Sequence, residues 1–420
     1  MPLLAIALLI LSPPPDGDWF GLSVALSADG SRALVGAPHD DWRGRIDAGS
    51  ARVFVRSEAG WTEETALVAR DAAAQDRLGL SVALSADGSR ALVGAPWDDT
   101  AAGADAGSAR LFVRSASGWA EEATLVAPDG AASDQLGSAV ALSADGSRAL
   151  VGAPWDDTAA GADAGSARLF VRSGAAWALE ATLEGGAAAA WFGASVALSA
   201  GGDRALVGAP LEETPAAPAG THAGSVRVFV RTGSAWTEEA ALRPPSAGGF
   251  GRSLALSADG SRALVGGTTR ASSGDALGSA RVFVRTGSAW AEEAALPATG
   301  EDFGRAVALS ADGGRALVGS PRASGAAGPA VARLCARAGS SWAHEATLPS
   351  GVPGELRAEH FGRSVALSAD GSRALVGRLE DGPTPRQGPR GAARLFVRSE
   401  AGWTEEATLR ARAPRVRRPR

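Results

Sequence analysis

One segment, written seven times, constrains this chain more than any other feature. Its opening glycines are Gly21, Gly79, Gly137, Gly193, Gly251, Gly304 and Gly362, spaced 58, 58, 56, 58, 53 and 58 residues apart. Each copy begins FG-x-S-V-A-L-S-A-D-G-S-R-A-L-V-G-A-P. A variable stretch follows, then G-S-A-R-V-F-V-R-S, a short turn and W-T-E-E-A-T-L. A fixed period of this kind marks repeat architectures, whose units bury their apolar faces only against their neighbours. A length of 420 residues would otherwise imply two or three domains. A ring of repeats around one shared core removes that inference.

Each copy reads as four strands. Val24, Leu26, Ala33 and Val35 share a face if Asp29–Gly30 is a two-residue turn. Asp-Gly is a strong hairpin signal because the turn it forms takes φ > 0 at both central positions. The pair recurs in every copy except the fourth, which has Gly201–Gly202. The opposite face carries Ala25 and Leu34, so these two strands expect neighbours on both sides. The third strand alternates Arg52, Phe54 and Arg56 with Ala51, Val53 and Val55. The fourth opens on a tryptophan in every copy: Trp61, Trp119, Trp177, Trp236, Trp290, Trp342 and Trp403. The acidic pair that follows, Glu63 and Glu64 in the first copy, is expected to meet the third strand's arginines across the ladder and to charge the blade's outer edge.

Four antiparallel strands repeated seven times predict an all-β, seven-bladed β-propeller over residues 16–409, with blades starting near 20, 78, 136, 192, 250, 303 and 361. A linear β-solenoid fits less well, because solenoid coils have shorter periods and distinct caps are missing here. Residues 1–15 form an apolar leader resembling the core of a secretory signal, although no positive charge precedes it. The rival reading makes it a strand that clasps the seventh blade; without it, the ring is expected to close by side-chain packing alone. The arginine-rich tail at 410–420 reads as disordered. The leader is too short to span a bilayer as a helix, and no integral membrane protein is expected. A net charge of −5 gives no field favouring nucleic acid. Cys335 stands alone, where other copies have Phe, and reads as a buried small hydrophobe.

Phe20–Gly21 with Gly36–Ala37–Pro38, and their equivalents down the chain, resemble the FG-GAP repeat of integrin α-subunit propellers and of secreted bacterial proteins. The glycine-alanine-proline element is intact at Gly94–Ala95–Pro96, Gly152–Ala153–Pro154 and Gly208–Ala209–Pro210. It degrades to Gly266–Gly267–Thr268, Gly319–Ser320–Pro321 and Gly377–Arg378–Leu379. The resemblance implies a secreted or surface-displayed, non-enzymatic propeller serving adhesion or binding. Integrin-type blades often hold calcium between the first two strands. Here that place holds only Ser-Ala-Asp-Gly-Ser, one carboxylate for an ion that takes six to eight oxygens, so those sites do not carry over.

The connections between second and third strands vary most and share one ring face. Copy one carries Asp40, Asp41 and Trp42 there, copy two Trp97, Asp98, Asp99 and Asp105, and copy three Trp155, Asp156, Asp157 and Asp163. Copy four has Glu212 and Glu213. Later copies carry Arg270, Arg322, Arg378, Arg386 and Arg390, so the face is expected to be acidic over the first four blades and basic over the rest. Tryptophans beside carboxylates suit a sugar or a basic protein surface, which makes these residues the candidate ligand-binding set. The bland alternative is that they cap and solvate the blade tops. No cofactor is expected; calcium on Asp98, Asp99 and Asp105 is the alternative. His39, His222, His344 and His360 lie in different copies without metal-ligand spacing. His39 is the best acid–base candidate, but no nucleophile motif accompanies it and no catalytic role is expected. A ligand-free scaffold and a polysaccharide-active enzyme remain as alternatives.

Overall fold

A computed structural model describes residues 17–213, 222–244, 248–270, 276–297, 302–321, 330–350, 360–380 and 390–411. They form seven four-stranded antiparallel sheets, each ordered as its strands follow in the chain. In blade one the strands are Val24–Leu26, Arg32–Ala37, Ser50–Ser57 and Gly60–Leu67. The blades close into a propeller with the first strand innermost. The apolar leader and the tail beyond Ala411 lie outside the described residues.

The first hairpin has the expected register, with Val24 opposite Val35 and Leu26 opposite Ala33. Its turn differs from expectation, because only Gly30 takes a positive φ (64°). Asp29 instead accepts the Ser27 hydroxyl at 2.6 Å and the Ser31 amide at 2.9 Å. Burial works to raise the Asp29 pKa, but those bonds outweigh it and lower it. A carboxylate already held in this way is a poor start for a calcium site.

The same turns lock the ring. Ala28 N–H donates to the Ala86 carbonyl at 2.8 Å, Ala86 to Ala144 at 2.8 Å, Ala144 to Ala200 at 3.0 Å and Ala200 to Ala258 at 3.0 Å. The series continues from Ala258 to Ala311 at 2.9 Å, from Ala311 to Ala369 at 2.8 Å, and from Ala369 back to Ala28 at 2.8 Å. Backbone bonding therefore closes the circle, which corrects the expectation of closure by side-chain packing alone. Blade seven has four strands of its own, Val365–Leu367, Arg373–Glu380, Arg390–Ser399 and Gly402–Leu409.

The core lies between blades. Each apolar cluster draws on two neighbours: Phe20, Ala33, Val35 and Phe54 of blade one, for instance, pack with Leu375, Leu395 and Leu409 of blade seven. Burying such a side chain stabilises by roughly 1.5–3 kcal/mol. The signature glycines meet across the same seams. A β-carbon on Gly36 would lie 2.0 Å from the carbonyl oxygen of Gly79, and one on Gly319 would lie 1.9 Å from that of Gly362. This close approach explains why the first glycine of the Gly-Ala-Pro element survives in all seven copies while its alanine and proline degrade.

The acidic pair on the fourth strand is divided by a β-bulge. Val53 pairs with Thr65 and Phe54 with Glu63, leaving Glu64 unpaired in the ladder. The same step leaves out Glu122, Glu180, Glu239, Glu293, Glu345 and Glu406. A bulge re-aims the extra side chain, and here it turns it toward the next blade. Glu239 takes Arg204 of its own blade at 3.2 Å, and Arg285 and Trp290 Nε1 of the following blade at 2.8 and 2.9 Å. Glu406 closes the circle on blade one through Arg56 at 2.6 Å and Trp61 at 3.3 Å. Trp177 is the exception, since its Nε1 is buried with no hydrogen-bond partner among the described residues. Only the first glutamate behaves as expected, Glu63 meeting Arg52 at 3.0 Å. The second rivets seams rather than charging an edge. Burial works to raise Glu239, and its Arg and Trp bonds reverse that and lower it.

Candidate functional site

The strand connections of blades one to four share a base built from the first acid of each loop. Asp98 is buried and accepts the Ser108 hydroxyl and Arg110 Nη2, each at 2.5 Å. Asp156 accepts Ser166 at 2.5 Å and Arg168 at 2.9 Å, and Asp40 accepts Ser50 at 2.5 Å and Arg52 at 2.7 Å. Glu212 does the same with Ser225 and Arg227. These acids anchor the loop to the Gly-Ser-x-Arg start of the third strand. Their hydrogen-bonding capacity is turned inward, toward the buried Arg110 and Arg168 and the half-buried Arg52 and Arg227.

The second acid shapes the loop. Asp99 Oδ1 accepts the Asp105 amide at 3.0 Å, Asp157 that of Asp163 at 2.9 Å, and Asp41 that of Asp47 at 3.0 Å. Asp47, Asp105 and Asp163 all take left-handed φ values of 50–55°, a conformation that Asp tolerates better than most residues. Asp41, Asp99 and Asp157 are exposed, and Asp47, Asp105 and Asp163 are half-buried. Asp47 also meets His39 Nδ1 at 3.0 Å, and the imidazole lies 4.5 Å from the Trp19 ring. The partner of His39 is thus Asp47, eight residues on, rather than the adjacent Asp40.

The loops of blades two and three carry the same sequence from Trp97 to Gly107 and from Trp155 to Gly165, yet their tryptophans have different company. The Arg77 guanidinium lies over the Trp97 ring, 4.3 Å from its centroid. The corresponding residue beside Trp155 is Gln135, and Trp155 instead meets Trp191 at 4.4 Å and 49°. Between Trp155 and the connection at 131–135 opens a cleft of about 240 Å³, lined by Ala131, Ala132, Ser133, Asp134, Gln135, Trp155, Asp157 and Asp163. Three expected ligand-binding residues, Trp155, Asp157 and Asp163, therefore converge. Trp42, bridged to Arg45 and flanked by Arg43 at 5.6 Å, belongs to a separate loop.

Asp134, which no repeat motif singles out, also lines this cleft. It is buried, accepts the Ala131 amide at 2.6 Å, and has its pKa raised by burial against that bond, with the Asp156 charge adding to the rise. Its counterpart Asp76 is pushed up to about 6, first by burial and then by the Asp98 and Asp71 charges, against the Ala73 amide and Arg110. The sequence signal was available: Asp-Arg-Leu-Gly and Asp-Gln-Leu-Gly end the corresponding connections of two neighbouring copies.

Other expectations resolve elsewhere. Arg378 is buried in its strand, with Nη1 3.5 Å from the Ser350 carbonyl, and does not make the loop face basic. Arg322 and Arg386, and the side chains of Arg270 and Arg390, lie outside the described residues. Cys335 is buried, and burial pushes its thiol up to about 11. Among the described residues, no three His, Cys, Asp or Glu side chains converge as a metal-ligand group, and no helix is long and apolar enough to cross a membrane.

The FG-GAP repeat family profile matches residues 8–54, 61–112 and 119–170. No curated protein matches the chain. Among solved structures, a protein from Bacteroides fragilis assigned as a 6-phosphogluconolactonase is similar at 11% identity and TM-score 0.56, over 90% of this chain and 94% of its own. One from Bacteroides uniformis with the same assignment aligns at 12% identity and TM-score 0.51, over 78% and 85%. The periplasmic gluconolactonase of Pseudomonas aeruginosa aligns at 17% identity and TM-score 0.51, over 78% and 84%. These likenesses are of fold. They overturn the expectation that the chain is not an enzyme, because propellers of this shape include proteins named as lactonases.

Proposed function

We propose that this chain, a seven-bladed propeller carrying FG-GAP repeats, binds a carbohydrate in the cleft beside Trp155. The observation that carries this reading is one opening that brings an indole face together with the exposed carboxylate of Asp157 and the half-buried one of Asp163. A pyranose offers an apolar C–H face to an aromatic ring and hydroxyl donors to carboxylates. The apolar leader and the FG-GAP match support presentation outside the cell, where glycans of the surface or matrix are the partners. A glycan array probed with the full chain and with Trp155→Ala tests this. Selective binding by the parent that the variant loses is expected; equal binding by both, or none by the parent, refutes it.

A second reading is favoured by one observation, the His39–Asp47 pair on the same face. A carboxylate-oriented imidazole can take a proton from water attacking a sugar lactone. On this reading glucono-δ-lactone is hydrolysed faster than in buffer, and His39→Gln removes the excess rate. Turnover unchanged by that substitution excludes the pair.

A further inference from the structure

The seven residues that follow the repeat-opening glycines are Leu22, Leu80, Ser138, Ala194, Arg252, Arg305 and Arg363. This position leads each chain segment from the loop face into the innermost strand. Arg252 and Arg305 directly precede the inner strands Ser253–Leu256 and Ala306–Leu309, and Arg363 comes two residues before Val365–Leu367. The positions are close across the seams. Ser253 Oγ donates to the Gly304 carbonyl at 2.8 Å, setting the backbone next to Arg252 against the residue before Arg305. Gly319 of the sixth blade abuts Gly362 in the same way as at the other seams, bringing in the residue before Arg363. Three consecutive blades thus place arginine at the axial mouth, while the other four place leucine, serine or alanine there.

Arg305 and Arg363 are half-buried at this mouth. Arg252 is exposed at the surface, yet enough protein surrounds its guanidinium that burial lowers its pKa, against the opposing charge of Asp302. Asp302 is the acidic residue in the turn that opens blade six, where its φ is 56°. Guanidinium groups offer paired N–H donors matched to carboxylate and phosphate oxygens.

We propose that the axial mouth over blades five to seven is an oxyanion site, formed by Arg252, Arg305 and Arg363, for a carboxylate or phosphate group of a small molecule. It lies on a different part of the ring from the Trp155 cleft and does not depend on it.

Titration calorimetry of the full chain at low salt, with inorganic phosphate and separately with citrate, tests the site. The parent is expected to bind at least one saturably, and the preferred anion tells phosphate from carboxylate chemistry. Arg252→Gln, Arg305→Gln and Arg363→Gln should each weaken that binding about tenfold, and the triple variant should abolish it. Trp155→Ala and Leu22→Gln should leave it unchanged. If the triple variant unfolds, as judged by circular dichroism, the single variants decide. A parent that binds neither anion overturns the proposal, as do arginine variants that bind like the parent.

Discussion

The seams and the loop face of this propeller are built from the same repeat and behave oppositely. At the seams, every bulged glutamate reaches a strand-two arginine of its own blade, and the alanine-to-alanine bonds complete a circle. On the loop face, two identical stretches in blades two and three give a tryptophan under a guanidinium and a tryptophan that lines a cleft, because residues outside the loop differ: Arg77 in one place, Gln135 and Trp191 in the other. Geometry that every blade must satisfy leaves little room for change, since a misfit at one seam opens the ring. A loop answers only to its neighbours, so function can differ from blade to blade.

The largest effect should come from breaking a rivet. Glu239→Ala leaves Arg204 and Arg285 without their shared carboxylate at a buried seam, and should cost about 3 kcal/mol in denaturant unfolding. Glu238→Ala, one residue away in a more exposed pair with Arg227, should cost under about 1 kcal/mol. Equal losses would erase the distinction between the two glutamates. Next comes the loop base. Asp98→Ala removes one partner of Arg110, which keeps Asp71 and Glu121, and should cost about 2 kcal/mol. A cost near zero would show that the remaining carboxylates suffice.

Asp76 separates the loop face from the seams by its response to pH. Its folded pKa, about 6, lies above its ordinary value of 3.8. The folded state therefore holds the proton more tightly, and stability from this group is full below pH 4 and lost as pH rises through 6. Asp76→Asn should stabilise by the order of 2 kcal/mol above pH 6 and do nothing below pH 4. The seam glutamates have the opposite sign: their lowered pKa values supply stability above the ordinary carboxylate range, lost as pH falls through the folded values. A pH titration of unfolding in which Asp76→Asn shows no change on the neutral limb would contradict the first assignment. The smallest effect belongs to the loop of blade three: Asp157→Ala removes one exposed hydrogen bond, to the Asp163 amide, and should cost about 0.5 kcal/mol, while weakening any ligand held in the cleft.

The ring was legible because it rests on periodicity. Seven phased glycines and seven phased tryptophans leave little else for the chain to form, and the hairpin register followed from the placement of Asp29–Gly30. The rivets were half legible. Glu180 and Glu345 persist where their neighbours become Leu179 and His344, which singles out the second glutamate, but a bulge shifts register without leaving a mark in a two-residue alternation. The loop face was least legible. Asp40, Asp98 and Asp156 read as ligand acceptors because acids beside tryptophan fit that role, yet each is bonded to a serine and an arginine ten and twelve residues further on. The cleft depends on which residue of another segment lies against Trp155, and no local pattern encodes that contact.

The most direct test is saturation-transfer NMR with the sugar selected on the array, comparing Trp97→Ala with Trp155→Ala. The ligand signal is expected to survive the loss of Trp97, whose ring lies under the Arg77 guanidinium, and to disappear with the loss of Trp155. Equal loss in both, or survival in the Trp155 variant, would contradict the assignment of binding to the cleft of blade three.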